Sequence, residues 1–414
     1  MENKNWKEGK SSELIDLISG FAFKSANFLS EKRENTLPII KIKNVANGDV
    51  NLNDVVYHEY NDKLSNYVIE KGDVLIAMTG NHIHAQTQIV GDVSLCKLDE
   101  PVLLNQRVGK FVAKNDADLK FAYYLFKDEE TRFNLANKAS GSANQANVSK
   151  TDILDLDILI PPLPEQKAIA SVLSSLDDKI DLLHQQNQTL EALAETLYLN
   201  FIGEREFNSK LSDIFSLQNG YAFKSKSFKE SGIIRVIKIK NISGDIVDIT
   251  NSDFVDDESI KKLDVKFKIN SGDILIAMTG AEVGKLGIVP ETDQSLWLNQ
   301  RVGSIKQKFE GAKYLVYLHL KSDFGQDYIE NTATGSAQPN ISGEGIENCE
   351  FPLYEEAELE EICNKLSPLY DKVIFNLGQI QTLTKLRDTL LPKLMSGEVR
   401  VKCKSSAKSG HFIL

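Results

Sequence analysis

The chain has 414 residues, of which 42% are hydrophobic and 26% are charged, and its formal net charge is −11 at pH 7. This length and this balance exclude both a single small module and a disordered chain, and they predict roughly two to four folded domains. No apolar run is long enough to span a membrane, residues 1–10 do not resemble a signal peptide, and the four cysteines form no CxxC pair, so we predict a reduced, cytoplasmic protein.

An internal repeat of roughly 200 residues organises the chain. Four blocks occur twice in the same order: GFAFKS at 20–25 and GYAFKS at 220–225, IKIKN at 40–44 and 237–241, GDVLIAMTG at 72–80 and GDILIAMTG at 272–280, and LNQRVG at 104–109 and 298–303. Small changes in the spacing between blocks are typical of loop insertions and deletions. One structural unit is therefore used twice.

Each repeat begins with a segment of short β-rich runs separated by Gly, Asn and Asp. These segments, residues 1–160 and 205–348, are predicted to be similar α+β domains. Each is followed by a segment with helical periodicity, residues 161–204 and 349–400, and residues 401–414 form a short basic, Ser-rich tail that we expect to be flexible.

The helical segments carry a heptad seam, in which apolar residues alternate at spacings of three and four. In the first segment the seam runs from Ile169 to Phe201 with Asn187 as its polar member, and in the second it runs from Ile362 to Leu394 with Asn376 and Arg387 as polar members. The first helix would be roughly 55 Å long. Pro368 and Gly378 are expected to kink or weaken the second helix.

Two such helices related by a two-fold axis would lie antiparallel and seam to seam, with the two asparagines setting the register at some cost in stability. The alternative is that each helix packs only on its own domain. The predicted fold class is α+β, with two similar globular domains separated by a pair of long antiparallel coiled-coil helices and an internal two-fold pseudo-symmetry. The first helical segment has seven acidic and two basic residues, so much of the negative charge belongs to this spacer.

No catalytic constellation is visible in the sequence. The segment GAEVGKL at 280–286 has three residues between its glycines and a Leu after the Lys, so it does not fit a phosphate-binding loop. His82 and His84 could lie on one face of a strand, but a metal site needs more ligands, and a polar loop is the favoured interpretation. We therefore predict a protein without catalytic residues, cofactor or metal.

Several segments together resemble the DNA-specificity subunit of type I restriction–modification enzymes. They are PPLPEQ at 161–166, LDDKI at 176–180, LRDTLLPKLMSGE at 386–398 and the duplicated plan itself. The segment at 280–287 is similar to the family's Gly-rich loop, whereas residues 81–88 of the first repeat contain no glycine. The second helical segment lacks the double proline of the first.

The resemblance implies two target-recognition domains that each read half of a split DNA sequence, and a helical spacer that sets the gap between the halves. It also implies two methylation subunits on the helical regions, which carry S-adenosylmethionine chemistry on adenine, and a motor-nuclease subunit that uses ATP and magnesium. This chain would then be a non-catalytic component. The rival interpretations are an enzyme, and a coiled-coil adaptor or decoy subunit without productive DNA binding.

Candidate DNA-binding residues follow from the repeat. Residues identical in both halves cannot explain different half-sites, so they serve the fold or contact phosphate; the shared cations are Lys24 and Lys224, Lys41 and Lys238, Lys43 and Lys240, and Arg107 and Arg301. Residues that differ are candidates for base contacts: Asn81, His82, His84, Gln86 and Gln88 in the first repeat, and Glu282 and Lys285 in the second. The Asn/Gln-rich loops at 141–147 and 335–340 could contact DNA or serve as helix-capping turns.

Overall fold

A computed structural model describes residues 6–45, 48–80, 89–114, 116–142, 145–335 and 338–401. The described residues form two compact units, one drawn from Met1–Asp178 together with Thr384–Leu414, and the other from Lys179–Leu383. This division passes through the two long helices, so the domain limits at residues 160 and 348 stay predictions. The predicted tail at 402–414 lies outside the described residues.

The first repeat contains thirteen described strands and three short α-helices before the first long helix. In chain order they are β1 Lys7–Lys10, β2 Ile15–Ser19, β3 Thr36–Ile40, β4 Val56–Glu59, β5 Val68–Ile69, β6 Val74–Ala77, β7 Thr79–Gly80, β8 Val93–Leu95, β9 Val102–Leu104, β10 Val108–Ala113, α1 Leu119–Lys127, α2 Glu129–Asn137, β11 Ser140–Ser142, β12 Gln145–Asn147, α3 Lys150–Leu154 and β13 Asp157–Ile160. The first long helix is α4, Leu163–Ile202.

The second repeat has a closely similar order of elements. They are β14 Ser209–Lys210, β15 Phe215–Asn219, β16 Phe228–Lys229, β17 Ile234–Ile237, β18 Ile242–Ser243, β19 Asp245–Val247, β20 Asp253–Val255, β21 Lys268–Ile269, β22 Ile274–Ala277, β23 Leu286–Ile288, β24 Ser295–Leu298, β25 Val302–Gln307, α5 Ala312–Lys321, α6 Asp323–Thr332, α7 Gly343–Glu347 and β26 Glu350–Phe351. The second long helix is α8, Glu356–Met395.

The sheets of the two units correspond. In the first unit one sheet has the order β2-β10-β6-β8 and another β4-β3-β9-β5, and in the second unit the matching sheets contain β15-β25-β22-β23 and β20-β17-β24-β21. The central strands β6 and β22 are buried along their whole length, which explains their unbroken apolar sequences. The predicted α+β class is confirmed.

The seam residues of both long helices are buried or half-buried, as the heptad pattern predicted. In the first unit, Ile169 and Leu173 near the start of α4 share a core with Leu391 and Leu394 near the end of α8. In the second unit the opposite ends of the two helices share a core, which includes Ala194 of α4 and Leu366 of α8. The helices are therefore antiparallel, as predicted.

The two predicted seam asparagines face each other in the second unit. Asn376 Nδ2 donates a hydrogen bond of 2.8 Å to Asn187 Oδ1, and both side chains are buried. The remaining polar atoms, Asn187 Nδ2 and Asn376 Oδ1, have no hydrogen-bond partner among the described residues. The pair is bordered by an apolar cluster of Ile180, Leu183, Ile380 and Leu383. A buried polar pair among apolar seam contacts favours one register, because any shift would leave both amides without a partner.

The second helix begins later than the predicted segment. It begins at Glu356 rather than near 349, because Glu350 and Phe351 pair as β26 with β14 before Pro352 interrupts the strand. It is one helix through Pro368 and Gly378, and a kink or weakening at these residues stays a prediction. A Cβ atom at Gly378 would lie 2.8 Å from the backbone oxygen of Glu291, so this glycine allows a loop to approach the helix closely.

Each unit also ties the end of one long helix to the start of the other with an Arg–Glu pair. In the first unit, Arg400 donates to both carboxylate oxygens of Glu165, at 2.5 and 2.6 Å. In the second unit, Arg205 donates to both carboxylate oxygens of Glu358, at 2.8 and 3.0 Å. Donation by Arg205 and by the Glu355 backbone N–H lowers the pKa of Glu358 to about 2. Bidentate pairs of this kind are geometrically specific.

Among the described residues, neither long helix nor any shorter one combines the length and apolar character needed to cross a membrane.

The Asn187–Asn376 pair gives the first testable prediction. Asn187→Leu alone should lower the free energy of unfolding by about 1–3 kcal/mol, because it leaves the buried Asn376 amide without its partner. The double variant Asn187→Leu, Asn376→Leu should recover that loss but populate more than one helix register. Chemical unfolding measures the first effect, and spin-label distances between the helices measure the second.

Leu183→Ala is the matched control, since it removes an apolar seam contact without exposing a polar group. It should lower stability while keeping a single register. A double variant that also kept one register would show that the asparagines do not determine it.

Candidate nucleic-acid interface

The repeated sequence blocks lie side by side in each unit. In the first unit, the Phe21 backbone N–H donates to Leu104 O at 2.9 Å and the Gln106 N–H donates to Phe21 O at 3.0 Å. In the second unit, Tyr221 makes the same two contacts with Leu298 and Gln300, both at 2.9 Å. The GFAFKS and LNQRVG blocks are thus joined by the same backbone hydrogen bonds in both units.

This junction explains the glycine that opens the first block. A Cβ atom at Gly20 would lie 2.1 Å from Asn105 O, and one at Gly220 would lie 2.0 Å from Asn299 O. Both obstacles are backbone atoms, which a side-chain rearrangement cannot move. Only glycine allows the chain to approach the LNQRVG turn this closely.

The IKIKN block and the GDVLIAMTG or GDILIAMTG block also contact the LNQRVG turn. Met78 N–H donates to Arg107 O at 3.0 Å, and Asn105 N–H donates to Ile40 O at 3.3 Å. In the second unit the equivalent donors, Met278 and Asn299, bond to Arg301 O and Ile237 O at 3.1 Å each. We call the region where the four blocks meet the shared surface; it comprises residues 20–24, 40–44, 78–80 and 104–108 of the first unit, and 220–224, 237–241, 278–280 and 298–302 of the second.

The shared arginines lie at the exposed tip of a tight turn. Val108 N–H donates to Asn105 O at 2.8 Å, and Val302 N–H donates to Asn299 O at 2.9 Å, so each Arg is a central turn residue. Arg107 Nη1 lies 3.4 Å from Asn147 Oδ1. Within the described ranges, neither Arg107 nor Arg301 forms an ion pair with an acidic side chain, which leaves both guanidinium groups available to an anion.

The shared lysines differ in the partners that the domain offers them. Lys24 and Lys224 are exposed, and the described part of the chain offers them no ion pair. Lys43 lies 3.3 Å from Asp54, while Lys238 and Lys240 both contact Asp253, at 2.5 and 2.6 Å. Lys41 lies over the Phe28 ring. Burial opposes ionisation of Asp253, but hydrogen bonds from Lys238 and Lys240 outweigh it and lower the pKa of that carboxyl. The domain itself therefore already neutralises part of the charge of these two lysines.

The predicted base-contacting loops follow Gly80 in the first unit and Gly280 in the second. Residues 81–88, which contain Asn81, His82, His84, Gln86 and Gln88, lie outside the described residues. In the second unit, Glu282 and Lys285 form an ion pair three residues apart on the loop that follows β22. Gly280 and Gly284 have φ values of +83° and +85°, which explains why glycines shape this loop.

The Asn/Gln-rich loops also border the shared surface. β12 pairs with β7, so that Asn147 lies opposite Thr79, and Thr79 Oγ1 donates to Asn147 Oδ1 at 2.8 Å. In the second unit, Asn340 bridges to Thr279. The following helices are capped by other residues, because the Ser149 and Ser342 side chains accept the N-terminal amide hydrogen bonds of α3 and α7.

Two functional features escaped the sequence analysis. Asn44 and Asn241 are fully buried, and their side chains accept hydrogen bonds from the Lys41 and Lys238 backbones, so the final residue of IKIKN shapes the turn. The aromatic residues Phe21 and Tyr221 are exposed on the shared surface. An aromatic residue occurs at the same position in both copies of this block, and this repetition is the sequence signal that could have identified the pair.

Among the residues that the structure describes, no three His, Cys, Asp or Glu side chains come together as metal ligands.

A family model for the type I restriction modification DNA specificity domain matches the chain twice, at residues 3–192 and 205–385. The chain belongs to this DNA-specificity family. A specificity subunit of the type I restriction enzyme MjaIX from Methanocaldococcus jannaschii is 25% identical, over 95% of this chain and 97% of its own length. The EcoBI specificity subunit from Escherichia coli is 24% identical, over 95% of this chain and 86% of its own length.

A solved structure supports the same fold for this specificity-family chain. The S subunit of a type I restriction–modification system from M. genitalium matches 95% of this chain and 97% of its own, with a TM-score of 0.62 and 19% identity. Members of the family are non-catalytic DNA-recognition components. The expectation of a non-catalytic specificity protein, drawn from the resemblance, is therefore confirmed.

Gly220 provides a test of whether the close approach between the repeated blocks stabilises the shared surface. Gly220→Ala should force the GYAFKS block away from Asn299 and destabilise the unit, because the clash is with backbone; a cost of about 1–3 kcal/mol is expected. Amide hydrogen exchange at Gln300, which donates to Tyr221 O, should become faster. Gly343→Ala is the matched control, since its Cβ would meet only ordinary contacts at 3.5 Å or more. Equal effects of the two substitutions would show that the close approach is unimportant.

Proposed function

We propose that the chain reads a bipartite, gapped DNA site, with the shared surface of each unit holding one half-site. The observation that carries this proposal is that, in both units, the turn with the shared arginine is hydrogen-bonded to a segment whose following sequence differs between the repeats. Met78 N–H donates to Arg107 O shortly before residues 81–88 in the sequence, and Met278 N–H donates to Arg301 O shortly before residues 281–285. Lys24 and Lys224 belong to the block that is hydrogen-bonded to the same turn. The residues shared by both units can contact the DNA backbone, while the segments that differ can contact different bases. This arrangement is suited to two different half-sites.

The constant residues are assigned to the DNA backbone. Phosphate contacts position a protein without carrying sequence information, and they are supplied mainly by Arg and Lys. Lys24, Lys224, Arg107 and Arg301 suit this role best, since they have no acidic partner in the described ranges. Lys43, Lys238 and Lys240 would have to exchange an aspartate for a phosphate, so their contribution is expected to be smaller; Lys41 remains a candidate phosphate contact.

The differing residues are assigned to base edges. In the second unit, the adjacent Lys285 and Glu282 present a cation beside a carboxylate. A lysine can bond to guanine O6 and N7, and a glutamate can accept from cytosine N4, so this pair complements the major-groove edge of a G·C base pair. Asn81, Gln86 and Gln88 suit adenine, while His82 and His84 supply further hydrogen-bonding groups in the first unit.

Methylation subunits are proposed to dock on the long helices. In the second unit, Leu182, Leu193 and Leu199 of α4 and Phe375 of α8 are exposed, although they lie on helices whose seam is already filled. Leu386 of α8 is exposed in the first unit. These exposed side chains are the candidates for contact with the methylation subunits that the family resemblance implies.

The catalytic cofactors are assigned to the partners. Two methylation subunits would supply the S-adenosylmethionine chemistry on adenine, and a motor-nuclease subunit would use ATP and magnesium. The partners would also add phosphate contacts, which compensates for the net charge of −11 on this chain. This chain would determine which DNA sequence the complex binds.

The experiment is to co-express the chain with its methylation subunit and to map modified adenines across the host genome by single-molecule sequencing. We expect a new two-part motif with a constant gap. Co-purification without any new motif would contradict productive DNA recognition, and failure to associate would contradict docking on the helices.

The division into constant and variable contacts predicts different mutant behaviour. Arg107→Ala and Arg301→Ala should each weaken DNA binding by the assembled complex, by about 5- to 30-fold, and reduce its salt dependence, while the motif stays unchanged. Binding is measured by fluorescence anisotropy at several salt concentrations. Lys240→Ala is the matched control, because Asp253 already holds that ammonium group, and it should have a smaller effect.

Replacing residues 281–285 with the corresponding loop of a relative should do the opposite. It should change only the second half-site of the methylated motif and leave the first half-site intact. An unchanged half-site would contradict the assignment of Glu282 and Lys285, and an altered motif in Arg301→Ala would show that this arginine reads bases.

A further inference from the structure

An exposed aromatic ring occupies the same position on the shared surface of both units. Phe21 and Tyr221 are 38% and 37% exposed, although each is bound to its turn through two backbone hydrogen bonds. Phe21 contacts the rings of Phe23 and Tyr67, with centroids 4.9 and 5.3 Å away. Tyr221 contacts Phe223 and Phe267 at 5.1 and 5.6 Å. The exposed ring thus rests on two further rings in each unit.

Exposed apolar residues that occur singly on a protein surface need no functional explanation. Phe133 is such a residue, since it is 63% exposed on α2 and its counterpart on α6 is Asp327. Phe21 and Tyr221 differ from it because both the exposure and the supporting rings are repeated. The repeat has therefore kept an apolar contact point in two units whose neighbouring loops differ.

The surroundings of the ring indicate what covers it. In the first unit the ring's own block contains Lys24, and the turn bonded to it carries Gln106 and Arg107. In the second unit the same places hold Lys224, Gln300 and Arg301. These side chains are exposed, and the described residues provide no acidic partner for the four cations. A surface of this kind fits an anionic polymer with an apolar face between its charges, which is the sugar–phosphate backbone of DNA.

We propose that Phe21 and Tyr221 each pack on a deoxyribose ring of the DNA backbone, between phosphates held by the adjacent Lys and Arg. The contact buries apolar ring surface and is the same for every base sequence, which suits a residue shared by two half-sites. The repeat has Phe at one position and Tyr at the other, so the hydroxyl is not required. This inference rests on the proposed DNA-reading function and adds a non-ionic anchor to it.

The test uses the assembled complex with its methylation subunits and a duplex that carries the mapped motif. Phe21→Ala and Tyr221→Ala should each reduce DNA affinity roughly tenfold, through loss of apolar contact, with no change in the methylated motif. The salt dependence of binding should stay as in the unaltered complex, which separates this contact from those of Arg107 and Arg301. Tyr221→Phe should bind normally, and Phe133→Ala is the matched control that should also bind normally.

A photoreactive benzophenone amino acid at position 21 or 221 identifies the occupant directly. It should crosslink to DNA in the assembled complex. A crosslink to a methylation subunit, or weaker subunit association in Tyr221→Ala, would overturn the proposal in favour of a protein contact. Unaltered affinity of both alanine variants, in a complex that still writes a bipartite motif, would overturn this inference while the proposed function stands. Thermal unfolding verifies that the variants are folded.

Discussion

Each compact unit depends on turns from both long helices to complete its core. In the first unit, Ile169 of α4 and Leu394 of α8 join the same apolar cluster, and in the second unit Ala194 and Leu366 do so. One core cluster of each unit therefore depends on the helix pair, whereas a second cluster, around Leu104 in the first unit and Leu298 in the second, contains no residue of the long helices. The antiparallel seam thus belongs to the folding of each domain, and the register of the seam is a structural requirement of both units. A buried pair such as Asn187 and Asn376 specifies register at some cost, because half of its hydrogen-bonding capacity stays unused.

The contacts between the long helices and the globular domains differ chemically between the two units, although the units share a clear sequence repeat. In the first unit, Asp177 of α4 accepts from Arg387 at 2.8 Å and from the Tyr124 hydroxyl at 2.7 Å. Burial alone would raise the pKa of Asp177, but Lys127, Arg387 and Tyr124 together lower it. In the second unit the position equivalent to Asp177 is Tyr370, which stacks on Tyr314 with centroids 4.7 Å apart. A charged network in the first unit and an aromatic stack in the second thus connect a long helix to a short helix of the domain at equivalent positions.

The shared surface shows how an acidic protein can present cations to DNA. Its net charge is −11, yet Arg107, Arg301, Lys24 and Lys224 have no acidic partner in the described ranges. Other shared lysines are paired with aspartates, so cation count alone does not reveal where a phosphate would bind. The backbone hydrogen bonds that join the repeated blocks hold these free cations and the exposed rings in one arrangement. Such preorganisation reduces the entropy lost when DNA binds.

The sequence by itself determined the repeat, the α+β character, the helical seam and its two asparagines, because block identity and heptad spacing are read along the chain. It also named the cations within the repeated blocks. Tertiary structure alone decided which of these cations are free, since Lys240 is neutralised by Asp253 and Lys43 by Asp54, pairs that depend on folded geometry. Tertiary structure likewise showed that Phe21 and Tyr221 are exposed and that the second helix continues through Pro368 and Gly378. Periodicity is a local property, whereas ion pairing, exposure and close backbone approach depend on residues that only folding brings together.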